Sequence, residues 1–363
     1  MMFFGARPIM KGSYSNIEVE HDGLATAMYE SFSEWEEFKG KFDIAMANMY
    51  ENWIMDTEHT EQQKIAVYEG VLGDAWTKIK NFFKAIGEKI MSWIKSVIKF
   101  FQVQFMNDKS FIEKFKDQLE EDRDEEKFTY NAHIWAWDVA DSILKTATDR
   151  IKIIAGTFDK TVNDYSNDNI KESSTDTSKK TKEEKKTIDK AMWTELKNAD
   201  GTGGIAKFKT AYAKMINGGE AKSCKGFNKG MKKDEMIKWL EDEANDKLEN
   251  VKQAADDIKE ATDEYSDKID AVVSKHESDK DAEGKSLKSN WSKAVTAAAD
   301  LAKYALSYGT ATTSTYEEQL KACSSECRSI LNSYVRRSVK KESYGYRSNN
   351  NSISLMDSWS SSF

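Results

Sequence analysis

Residues 75–101 read AWTKIKNFFKAIGEKIMSWIKSVIKFF. At 100° per residue, Trp76, Ile79, Phe82, Phe83, Ile86, Ile90, Trp93, Ile94, Val97, Ile98, Phe101 and, just beyond, Phe105 fall in an arc of roughly 160°. Lys78, Lys84, Lys89, Lys95 and Lys99 take the other side, with Lys80 at its edge. The spacing predicts a helix, and its apolar face must lie either on a membrane or against a protein core. Burial favours both equally, so flanking charge decides. Residues 1–70 carry a net charge of −8, residues 71–116 a net of +5, and residues 117–126 seven acids against one arginine. A basic helix set between acidic segments suits packing against its own neighbours, which an anionic bilayer would repel. The stretch is expected inside a helical bundle, with membrane contact as the alternative.

The rest of the chain agrees with a helical reading. It has 363 residues, 18 glycines and one proline, Pro8. Proline stops helices, so its near-absence permits long ones. Charged residues make up 32 % and hydrophobic ones 39 %, with little strand-like alternation. Residues Met28, Phe32, Trp35, Phe38, Phe42, Met46, Met49 and Trp53 recur three or four apart and mark one helical face. Further along, Ile237, Ala244, Val251, Ile258, Tyr265 and Val272 recur every seven residues, with an alanine-rich second stripe. The expected fold is all-α: an elongated multi-helix bundle with one long coiled-coil-like helix over about 233–278.

Composition divides the chain. Residues 1–22 read as an N-terminal arm and 23–160 as a first helical domain, with one helix over 59–72 and another after Gly73. Residues 161–190, poor in apolar side chains and rich in Ser, Thr, Lys and Glu, read as a polar linker. A second helical domain is expected over 191–340. Within it, glycine turns around 201–230 bracket a short helix, Gly309 caps one helix, and Thr315 with Glu318 opens the next. Residues 341–363 form a Ser/Asn-rich tail.

Candidate chemistry is sparse. The net charge of −8 argues against direct nucleic-acid binding, which needs clustered cations. Cys224, Cys323 and Cys327 are too few for a disulfide framework and suit a reducing compartment. Cys323 and Cys327 share a helical face but lack the second ligand pair of a zinc site, so they read as buried small hydrophobes. His21, His59, His133 and His276 lack ligand spacing, and the HIWAWD stretch (His133, Trp135, Trp137, Asp138) reads as a core aromatic cluster. No catalytic residue, metal or cofactor is expected. The apolar start, interrupted at Arg7 and Pro8, is too short for a signal-peptide core. No run reaches the ~20 apolar residues that span a bilayer.

The longer stretch YEGVLGDAWTKIKNFFKAIGEKIMSWIKSVIKFF (residues 68–101) resembles segments in virion proteins of large tailed bacteriophages. In those, an acidic helix precedes an aromatic–lysine helix of the form W-x-K-I-K-x-F-F-K-x-I. The likeness covers residues 24–105. It implies a non-enzymatic structural or assembly component of the virion, made in the host cytoplasm, whose partners are other structural proteins or further copies of itself. A membrane-active helical protein is the alternative.

Overall fold

The computed structural model describes residues 28, 31–42, 44, 61–120, 135–168, 175–194, 196, 201, 204–218, 231–278 and 286–346. Nearly all of these are helical and none forms a strand. The elements are α1 (31–42), α2 (Glu61–Lys114), α3 (Lys116–Glu120), α4 (Trp137–Gly156), α5 (Phe158–Asp168), α6 (Thr175–Trp193), α7 (Gly204–Gly218), α8 (Lys233–Lys238), α9 (Ala244–Ser278) and α10 (Ser286–Tyr346). A π-helical turn, Trp239–Glu243, joins α8 to α9. At 1.5 Å per residue α10 runs about 90 Å, so the bundle is long. The N-terminal arm lies outside the described residues, as do Met46, Met49, Trp53 and the tail beyond Tyr346.

One buried core runs from Met28 on the N-terminal side to Val335 on α10. Helix α2 packs chiefly on α9, and α10 packs on α4, α5, α6, α7 and α9. The stretch read as a polar linker is helical where it is described. Residues 158–168 and 175–193 are helical, and Val162, Tyr165, Thr181, Ile188 and Met192 are buried. A helix needs only a narrow stripe to dock, and lysine stems cover apolar surface while their charges stay wet. Lys180 lies over the Tyr165 ring and Lys185 over that of Tyr304.

Two expected helix breaks are absent. Helix α2 passes through Gly73, where nothing lies within 4 Å of the position a Cβ would take. A glycine costs a helix only about 1 kcal/mol, too little to end one whose apolar face resumes at Ala75 and Trp76. Helix α10 likewise runs unbroken through Gly309 and Thr315. A Cβ on Gly309 would run into the Ile151 side chain and meet Ile258 at 3.6 Å, so this glycine lets α10 approach α4 and α9. The hydroxyls after it turn inward on their own helix: Thr312 Oγ1 donates to Tyr308 O (3.0 Å) and Thr313 Oγ1 to Gly309 O (2.8 Å). Such back-bonds let hydroxyls be buried without ending the helix.

The segment 233–278 is helical throughout, and Ala244, Val251, Ile258, Tyr265 and Val272 are buried. Ile237 is the exception, being half-buried, while Met236, Trp239 and Leu240 turn inward. The π turn accounts for this, because its extra residue shifts the phase by one position between Ile237 and Ala244. The stripe does not face a single partner. It packs among α2, α4, α5 and α10.

Candidate functional site

The amphipathic face singled out on α2 lies inside the molecule. Trp76, Ile79, Phe83, Ile86, Ile90, Trp93, Ile94, Val97 and Phe101 are buried and Phe82 is half-buried. Phe83 stacks on Tyr265 of α9 with ring centroids 4.8 Å apart, Trp76 meets Trp291 of α10 edge-on at 5.0 Å, and Phe82 meets Trp35 of α1 at 4.7 Å. Gly87 brings the backbones of α2 and α9 together, since a Cβ there would stand 2.7 Å from Thr262 Oγ1. The charges follow. Helix α9 carries ten acidic residues against five lysines, and Lys80 of α2 pairs with its Asp270. Lys89 Nζ donates to Ser31 Oγ of α1 at 2.6 Å. An acidic partner was expected from the flanking sequence; the principal one arrives instead from more than 150 residues downstream.

Ionisable groups gather at three places between helices. Where α1, α6 and α10 meet, Asp300 Oδ2 takes Lys185 at 2.6 Å and Lys39 at 3.2 Å. Burial alone would raise the Asp300 carboxyl, but the two lysines hold it below the ordinary range. One turn along, Asp189 Oδ1 accepts from the hydroxyls of both Tyr304 and Tyr308 at 2.5 Å. Burial, reinforced by Asp189, pushes both phenols well up, so they stay protonated and act only as donors. Where α4, α9 and α10 meet, Asp141 receives Lys247 (2.6 Å), Asn250 (3.1 Å) and the Tyr316 hydroxyl (2.5 Å). Between α2 and α10, Asp108 pairs with Arg328, whose guanidinium lies 4.6 Å from the Phe111 ring. Burial raises the Asp108 carboxyl despite Arg328.

These clusters tie helices together. Each carboxylate is engaged by cations or hydroxyls from another helix, which fixes register rather than presenting a nucleophile and a base to substrate. Among the described residues, no three of His, Cys, Asp and Glu gather as a metal site. The histidine side chains and Cys224 lie outside the described set. Trp135 and Trp137 are buried, and Trp137 stacks on Trp239 at 5.2 Å and meets Tyr316 at 5.1 Å. The HIWAWD tryptophans therefore belong to a core aromatic cluster. Cys323 and Cys327 are buried and free.

The Asp189 and Asp300 clusters were not legible in sequence, because Lys185 and Asp189 fall in the stretch read as a linker. A signal existed on the other side: Asp300, Tyr304 and Tyr308 recur every four residues, one face of a helix. On the outer side of α9, Asp256, Glu260, Asp263 and Asp267 border an open groove of about 470 Å³. No protein-family model, curated protein or solved structure matches this chain.

Proposed function

We propose that this chain is a non-enzymatic structural and assembly protein, a component of a bacteriophage virion that works through contacts with other structural proteins or with further copies of itself. The observation that carries this reading is where the chemistry goes. Both the aromatic face of α2 and the described carboxylate clusters are used to hold one helix against another. The reading also rests on the resemblance of residues 24–105 to virion segments. The membrane-active alternative needs the α2 face to be available, and α9 and α1 occupy it. Among the described residues, no helix is long and apolar enough to cross a membrane.

Gradient sedimentation tests the proposal. In a lysate that contains the assembled particle, the chain should band with the particles and stay there through a high-salt wash. A chain that remains at the top of the gradient, or that floats with added liposomes, contradicts it.

A further inference from the structure

Three sulfur atoms converge beside the tryptophan cluster. Cys323 and Cys327 lie one turn apart on α10, both buried. Cys327 Sγ stands 3.8 Å from Sδ of Met231, two residues ahead of α8. Trp137 borders Cys323, and Trp239 beside it is anchored by its Nε1 donating to Ser324 Oγ at 3.1 Å. The sulfurs thus come from two separate segments and are held by packed aromatic walls. Met231 is only half-buried and marks the side from which the cluster is reached.

We propose that Cys323, Cys327 and Met231 form a binding site for a soft monovalent metal ion, Cu(I). Thiolate and thioether donors select soft ions. Sulfurs sharing one ion at about 2.3 Å each stand about 4 Å apart, so the observed pair needs little rearrangement. Three sulfurs suit a three-coordinate monovalent ion, whereas structural zinc demands a fourth ligand. Binding exchanges Cu⁺ for the protons of Cys323 and Cys327, because the thiolate and not the thiol is the ligand. The filled site holds two thiolates and the uncharged Met231 thioether around one Cu⁺ and carries a single negative charge. This site is independent of the assembly role.

The test uses the full chain, reduced and under anaerobic conditions, titrated with Cu(I) against a chromophoric Cu(I) chelator. The expected result is one equivalent withheld from the chelator, two protons released per ion, and a higher melting temperature with the ion bound. Cys327→Ser should abolish retention. Met231→Leu, at a half-buried position where the fold tolerates a similar side chain, should keep the parent's circular dichroism and bind at least about tenfold more weakly. Cys224→Ser should bind like the parent. The proposal is overturned if the parent withholds no Cu(I), if Met231→Leu or Cys327→Ser binds like the parent, or if Cys224→Ser alone removes binding.

Discussion

Helix α2 buries one stripe and gives the other side to water, whereas α10 is buried on nearly every side through its middle. Residues 305–310 of α10 are six consecutive buried positions, more than a full turn. On α2 the exposed Lys84, Lys95 and Lys99 alternate with buried aromatics. The two helices therefore encode themselves differently. An edge helix must be amphipathic, and its period shows in the sequence. A central helix has neighbours all round, so it is built from alanines, small hydroxyl residues and a glycine that admit close approach. In sequence, that composition resembles a turn.

The comparison predicts unequal responses to substitution. The largest effect is expected at Ile258, whose side chain is 1 % exposed and lies beside the Gly309 contact. Ile258→Asp places an unpaired charge between α9 and α10 and should cost more than about 4 kcal/mol, removing a cooperative thermal transition by circular dichroism. An unchanged melt would mean that α9 does not dock on α10.

Next come two glycines that read alike in sequence. Gly309→Leu overfills the crossing with Ile151 and should destabilise by about 3 kcal/mol. Gly73→Ala, in open space on α2, should stabilise by up to about 1 kcal/mol, because alanine is the better helix former. Denaturant titration measures both. Equal effects at the two sites would erase the distinction between edge and centre.

A smaller effect concerns charge at the two ends of α10. Asp300 ionises more readily folded than unfolded, so it stabilises the fold above the ordinary carboxylate pKa of about 3.9 and loses that contribution as pH falls through its folded value. Asp300→Asn should cost about 1.5 kcal/mol at neutral pH, with the gap to the parent closing in acid. Asp108 has the opposite sign. Its carboxyl is raised, so its contribution is fully present below the unfolded pKa and fades as pH rises through the folded one. Asp108→Asn should therefore gain on its parent as pH rises above the ordinary carboxylate pKa of about 3.9. Stability curves across pH with the same slope for both variants would refute the assignment.

Much of the fold was legible for a physical reason. Long stretches at a 3.6-residue period, nearly free of proline, have few alternatives to helix, and the residues of the long helix expected over about 233–278 are helical. Three things were not legible. The π turn before Ala244 is a phase slip of one residue, invisible in a seven-residue repeat that it happens to mimic. Helix α6 docks through Thr181, Ile188, Met192 and, at its end, Trp193, a sparse stripe that composition alone reads as solvent-exposed. The polar clusters unite residues more than 100 positions apart, such as Lys185 with Asp300 and Asp141 with Tyr316. The sulfur cluster needed Met231, which no spacing ties to Cys327.

The central claim is that α9 and α1 hold the aromatic face of α2 inside the protein. Amide hydrogen exchange over residues 79–101, with and without anionic liposomes at low and high salt, tests it most directly. The account predicts slow exchange in both conditions, unchanged protection in α9, and no flotation of the chain with the vesicles. Saturable flotation that weakens with salt, accompanied by loss of protection in α9 as α2 leaves it, would contradict the account and favour a membrane-active protein.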